Sequence, residues 1–390
     1  MDDSRVQQFP IGAAVTVAEL EAEPYAVLAR LRADEPVSWL PALDGWLVTR
    51  RDLSVDAMRD AETFTVDDPR FTTGAVIGES MLSLDGPEHE RHRKAFATHF
   101  RPTMVRERFE ENLHVVAREL VGRFAADGRA ELRTALAGPM AVDTINRFLG
   151  LSNVDPALVL EWYVHISDAI VGLTLGNPVP PKGEQAIADI HERVAATLAD
   201  GSSEVVTTLE AYQSLRPEEL PTAVAVVMFG AIETSEGMTA NLLWHLLTHP
   251  ETLERVVADR SLLSAAMEES LRLEPAAGVI DRYATRTVEL GGAMIGERDK
   301  VTVSLLAANR DPEVFPDPDR FDIDRPNLRQ HVTFVQGPHG CLGLHLARLE
   351  TLAAVEAVLE RLPGLALDAA ASAPPEGLIF RKPPAVVATW

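Results

Sequence analysis

One cysteine occurs in the 390 residues, and the stretch around it is the part best suited to chemistry: Phe334-Val335-Gln336-Gly337-Pro338-His339-Gly340-Cys341-Leu342-Gly343. Gly337, Gly340 and Gly343 bracket the sulfur, and glycine reaches φ > 0 without a Cβ clash, so the backbone can curl around it. The apolar-periodic run from Leu344 to Glu350 follows at once and predicts a helix. A sulfur just ahead of a helix meets unpaired N–H groups and the positive dipole end, and both favour thiolate over thiol. The turn is suited to holding an anionic sulfur with its outer side open to a partner. Other uses of a lone cysteine stand beside this one. It can be a small buried hydrophobe. It can be a nucleophile, if one of the eleven histidines is brought near as a base. A structural zinc is disfavoured, because one Cys cannot supply the usual thiolate set.

Three more groups carry candidate chemistry. Asp85-Gly86-Pro87 starts a helix on which His89 and Arg93 are i and i+4, so they share a face and can clamp an anion. A solvated charged face is the alternative. In Gly230-Ala231-Ile232-Glu233-Thr234-Ser235-Glu236-Gly237, a glycine, an acid and an alcohol interrupt an otherwise apolar helical run. Such a segment can open locally over a ligand, since a Thr hydroxyl can bond back to an i−4 carbonyl and bend the helix. A plain kink with a solvated Glu would give the same sequence. Glu269 and Arg272 are i,i+3 neighbours ahead of Pro275, which on a surface is worth a few tenths of a kcal/mol.

The pattern Phe-x-x-Gly-x-His-x-Cys-x-Gly, followed by Leu346-Ala347-Arg348, resembles the haem-ligand loop of the cytochrome P450 family. One departure is Val335, where the family usually has Gly after the Phe. The resemblance implies a mainly α fold with small β-sheets, with haem b (iron protoporphyrin IX) between a long central helix and the Cys loop. It makes Cys341 the proximal iron ligand in a cradle that includes Phe334 and Gly343. It assigns His89, Arg93, Arg282 and His339 to the haem propionates, and gives Glu233 and Thr234 the organisation of proton delivery to dioxygen during its activation. Glu269, Arg272 and Arg325 correspond to a buried structural triad. Ile77, Met81, Leu82, Ile170, Phe229, Ala277, Val279 and Ile379 become candidates for lining an apolar substrate pocket. The implied enzyme is a monooxygenase that oxidises, most simply hydroxylates, an apolar small molecule of the secondary-metabolite kind. A non-catalytic haem-thiolate gas sensor or electron carrier is the alternative, and a colourless helical protein with one buried Cys a third.

The elements that must position these residues are mostly helical. Residues 1–20 suggest an irregular lead-in, Pro24 to Arg32 a helix, and 37–40 with 46–49 a strand pair around Asp44-Gly45. A short helix at 51–60 precedes a loop-like stretch, 64–84, that is either a lid or ordinary packing. Apolar stripes predict helices through 103–200, with a Pro-rich break at 176–181 that is a hinge or a connector. The segment from about 218 to 247 would be on the order of 45 Å long. Period-2 patterning from 276 to 305 predicts a small sheet, and the tail from 365 to 390 short strands. One domain covering 1–390 is expected.

The net charge of −23 argues against nucleic acid as main partner. Basic residues between Arg91 and Arg108, with Arg348, stand out against it as a docking patch for a ferredoxin. No Gly-rich dinucleotide fingerprint follows a strand, so electrons are expected from a ferredoxin and ferredoxin reductase. The N-terminus lacks the features of a signal peptide, and the apolar run from Ala223 to Ile232 is too short to span a bilayer. A cytoplasmic protein without a membrane partner is the expectation.

Overall fold

The computed structural model describes residues 3–151, 154–200 and 214–390, so Met1 and Asp2 of the acidic N-terminus lie outside the described residues. The chain is mainly helical with small sheets, and it divides into two compact units.

The first unit comprises Met1–Asp68, Trp244–Cys341 and Ala373–Pro384. Its sheet has five strands in the spatial order Val37–Leu40, Gly45–Val48, Lys300–Ser304, Val279–Ala284 and Phe64–Thr65. The first two pair antiparallel, Val37 against Val48 and Leu40 against Gly45, across a turn in which Asp44 takes φ 47°. The second joins Lys300–Ser304 in parallel, and Val279–Ala284 then pairs antiparallel, placing Arg282 opposite Val301. Trp46, Val48, Met58, Phe64, Val301 and Val303 form the core under this sheet.

The lead-in is not irregular. It folds as three short helices, Asp3–Gln8, Pro10–Ala13 and Val17–Ala22. The third starts with a capping box between Thr16 and Glu19. The second has its Ile11 and Gly12 N–H groups tied to the Glu35 carboxylate at 2.9 and 3.0 Å. That acid lies outside the segment, which is why local patterning did not announce the helix.

The second unit comprises Pro69–Leu243, Leu342–Ser372 and Ala385–Trp390. Its helices are Thr72–Ile77, Gly86–Ala97, Pro102–Gly122, Gly138–Leu149, Pro156–Thr174, Pro181–Asp200, most of Leu220–Thr248, and Leu344–Arg361. Thr72–Ile77 gives the loop-like stretch a helical turn the sequence did not suggest. The helix following the cysteine packs along Pro102–Gly122, and Pro156–Thr174 pairs with Pro181–Asp200. A π-helical segment, Arg133–Ala137, leads into Gly138–Leu149 and has its first N–H groups capped by Glu131. Arg129–Glu131, Val387–Thr389 and Ala366–Leu367 make a three-stranded sheet. One described helix, Pro156–Thr174, is long and apolar enough by composition to cross a membrane. Its inner face is instead packed against protein, with Val159, Ile166 and Ile170 buried.

Candidate active site

The cysteine turn is built by backbone. Cys341 is exposed, and its N–H donates to the Phe334 carbonyl at 2.8 Å, while the Gly340 N–H donates to that of Gly337 at 3.1 Å. Gly337 has φ 76°, and a Cβ there would stand 2.6 Å from the Met58 carbonyl oxygen, so only glycine fits. Val335 takes φ 61°, the left-handed conformation a glycine would adopt. The departure from the usual residue therefore keeps the turn, at the strain expected of a β-branched residue there. The helix begins at Leu344 with Gly343 as its N-cap, which leaves the cysteine just ahead of the positive helix end.

The remaining candidates divide between the units. Phe334, His339 and Cys341 share the turn in the first unit, and Arg282 is buried on its sheet with Nη1 donating to the Asp281 carbonyl at 2.8 Å. His89, buried, and Arg93, half-buried, are one turn apart on Gly86–Ala97 in the second.

Glu233 and Thr234 lie in the second unit, on the 29-residue helix Leu220–Thr248. Thr234 Oγ1 donates to the Gly230 carbonyl at 2.6 Å, the expected i−4 back-bond. A Cβ on Gly230 would meet nothing within 4 Å, although its neighbours Phe229 and Ile232 are buried, so open space adjoins the helix at this point. Glu233 is 3% exposed and not solvated. Its carboxylate accepts from the Tyr163 hydroxyl, and from Ser167 Oγ at 3.0 Å. Burial, then the charges of Glu233 and Glu236, push the Tyr163 phenol far up, so it is the neutral donor in that contact.

A family model described as Cytochrome P450 matches residues 188–368. The cytochrome P450 monooxygenase PikC of Streptomyces venezuelae is 35% identical over 371 residues, covering 90% of this chain and 86% of its own length. The chain belongs to the cytochrome P450 family. The mycinamicin IV hydroxylase/epoxidase of Micromonospora griseorubida is 33% identical, with 92% of this chain and 94% of that protein aligned. Among solved structures, CalO2 superposes with a TM-score of 0.85 at 28% identity, over 94% of this chain and 96% of that one.

This P450 is a haem-thiolate monooxygenase, and its cofactor is haem b. Each unit carries side chains that suit that group: in the first, an exposed thiol just ahead of a helix start with His339 and Arg282, and in the second, His89 and Arg93 with open space beside Gly230. Nothing in the comparisons supports a sensor or an electron carrier.

Glu269, Arg272 and Arg325 meet in the first unit. Arg272 grips Glu269 with two bonds of 2.8 Å, and Arg325 Nε adds a third at 2.9 Å. Glu269 and Arg272 are fully buried, so the surface-pair reading fails. The two guanidiniums also bind the carbonyls of Asn309, Pro316, Asp317, Pro318 and Arg320, which pins the Pro/Asp-rich chain.

The pocket candidates are less resolved. Ile77, Ile170 and Phe229 are buried, and Met81, Leu82, Ala277, Val279 and Ile379 are half-buried. Val279 lines a cavity of about 10 Å³ with Gly278 and Leu306, too small for such a substrate. A concavity of about 320 Å³ beside Pro10, Val15 and Val27 contains none of the eight.

Sequence reasoning missed Tyr163 and Ser167, which come from a distant helix with no motif of their own. It also missed Glu350, buried on the helix after the cysteine, whose apolar neighbours were the only signal. Burial pushes its carboxyl up to about 8, and the hydroxyls of Thr144 and Ser235 oppose that only in part. Arg91 is not a free basic residue. It holds Glu88 at 2.5 Å and Glu219 at 2.7 Å, and keeps the Glu219 carboxyl far below its ordinary range. Glu88, His92 and Glu219 could otherwise group around a metal ion, but that guanidinium already supplies the cation.

Proposed function

We propose that this P450 hydroxylates an apolar small molecule of secondary metabolism, as one catalytic domain working in the cytoplasm. The alternation of hydroxylase and epoxidase in the name of one relative supports C–H or C=C oxidation. When bound, the haem supplies an iron centre that activates dioxygen and delivers one oxygen atom to the substrate.

The chain's own residues do the rest. Cys341 as thiolate would hold the haem iron, in a loop that includes Phe334 and Gly343. His89, Arg93, Arg282 and His339 neutralise the propionates, which would be costly to bury unpaired. Glu233 and Thr234 organise proton delivery at the helix opening, and the Thr234 hydroxyl orients the water that carries the proton, because an alcohol near its free pKa is a poor acid. The eight apolar candidates supply the substrate surface. Electrons come from a ferredoxin, itself reduced by a ferredoxin reductase, that docks on the basic surface of the second unit.

The observation that carries this reading is the glycine-built turn presenting Cys341 at the start of Leu344–Arg361. The test is the carbon monoxide difference spectrum of the reduced protein. The wild type should show the red-shifted band of a thiolate-ligated haem, and Cys341→Ser should lose it. A wild type without the band, or a variant that keeps it, overturns the assignment.

A further inference from the structure

The acid beside Thr234 is not alone. Glu233 and Glu236 are i and i+3 on one helix face, both buried, and the Tyr163 hydroxyl lies between them. It donates to Glu233 Oε2 and stands 3.4 Å from Glu236 Oε2. Glu236 Oε1 in turn accepts from Arg133 Nη1 at 2.7 Å. Exposure falls along this line, from 26% for the Arg133 side chain to 5% for Glu236. Groups that face this cluster include Arg133 from the π-helical segment, and Tyr163 and Ser167 from Pro156–Thr174. Nearby on the same helix, Ser235 bonds the buried Glu350.

We propose that Glu236 and Tyr163 form a proton-uptake relay that recharges Glu233 from the solvent edge at Arg133. This rests on the reading of Glu233 as the proton donor of the site. In the step, the Glu236 carboxylic acid gives its proton to Tyr163 Oη while Tyr163 gives its own to the Glu233 carboxylate. One O–H bond forms and one breaks at the phenol, and no electrons move. The net change is one proton from Glu236 to Glu233. Glu236 is then reprotonated by bulk water beside the half-exposed Arg133. The phenol stays neutral before and after, as its burial beside two acids requires. Tyr163 and Glu236 are positioning and relay residues, acting on the site through Glu233.

The test compares wild type with Tyr163→Phe, Glu236→Gln, Glu233→Gln and the Tyr163→Phe/Glu233→Gln pair, all as ferric holoenzyme. Infrared difference spectra follow the carboxyl bands, assigned by their loss in the two Glu→Gln variants. The relay predicts that Tyr163→Phe shifts the Glu233 and Glu236 bands, because the hydroxyl that links the two carboxyls is gone. In turnover, Tyr163→Phe and Glu236→Gln should each raise peroxide released per turnover on the order of tenfold and enlarge the solvent isotope effect. The double variant should be no worse than Glu233→Gln alone. If Tyr163→Phe leaves both the carboxyl bands and the isotope effect as in wild type, the relay is overturned and Tyr163 is a packing anchor. If Glu233→Gln itself changes nothing, the reading of Glu233 falls first, and the relay with it. Should Tyr163→Phe fail to fold, judged by melting and the carbon monoxide spectrum, Glu236→Gln decides alone. Its amide oxygen keeps the Arg133 bond but cannot pass a proton, so an unaltered isotope effect there also overturns the relay.

Discussion

Glu350 is a carboxyl that folding keeps protonated. Burial is the main cause of its rise to about 8; the Thr144 hydroxyl opposes it, the Asp143 charge adds to it, and the Ser235 hydroxyl opposes it again. A folded value above the unfolded one means the stabilisation is complete below about pH 4.5 and is lost as pH rises through about 8. Glu350→Gln keeps an uncharged side chain of the same shape and removes the titration. The wild type should therefore lose stability between about pH 4.5 and pH 8, by up to a few kcal/mol, while the variant stays nearly flat. Thermal melts of the ferric protein across that range measure it. Parallel curves for the two proteins would place the pH dependence elsewhere.

At the scale of elements, the triad shows what was legible and what was not. Glu269 and Arg272 announced themselves by spacing, yet only the fold shows them fully buried and joined by Arg325 from a segment far along the chain. Removing one partner leaves a charge uncompensated in the interior. Glu269→Gln should cost on the order of 3 kcal/mol and loosen the Pro/Asp-rich chain bound by the two arginines. A fall in melting temperature with early loss of haem on heating would record it, and an unchanged melt would show the cluster to be replaceable. The Cys341 turn was readable because its geometry is local: glycines at fixed offsets and a helix start immediately after. The strands around Asp44 and the helix at 51–60 were readable for the same reason, since turn chemistry and periodicity are written in adjacent residues. The helices of the lead-in were not, because Glu35 caps one of them from outside. Nor was the acid's phenolic partner, since Tyr163 on its own helix looks like one more aromatic in an apolar stripe.

On the molecule as a whole, a net charge of −23 should repel an acidic ferredoxin, so docking depends on where positive charge gathers on the surface. Arg91 drops out, because Glu88 and Glu219 hold it. Lys94, Arg101 and Arg106 are exposed and Arg348 is half-buried. Arg348 and Arg106 both lie near enough to His345 to add, after burial, to the lowering of its imidazole, so the two cations belong to one surface of the second unit. Two opposing fields then act on the partner at different ranges. The diffuse repulsion of the whole protein is screened first as salt is added, and the close attraction of the patch later, with a Debye length of about 8 Å near physiological ionic strength. The rate of reduction by a ferredoxin should accordingly rise from very low salt, pass a maximum and fall. Reversing both charges, Arg106→Glu with Arg348→Glu, should remove the falling limb and slow reduction roughly tenfold at the maximum. Arg91→Gln should leave the shape of the curve unchanged. Stopped-flow reduction under carbon monoxide measures all three proteins. A flat curve for the wild type, or a double reversal without effect, would move the docking surface off this patch.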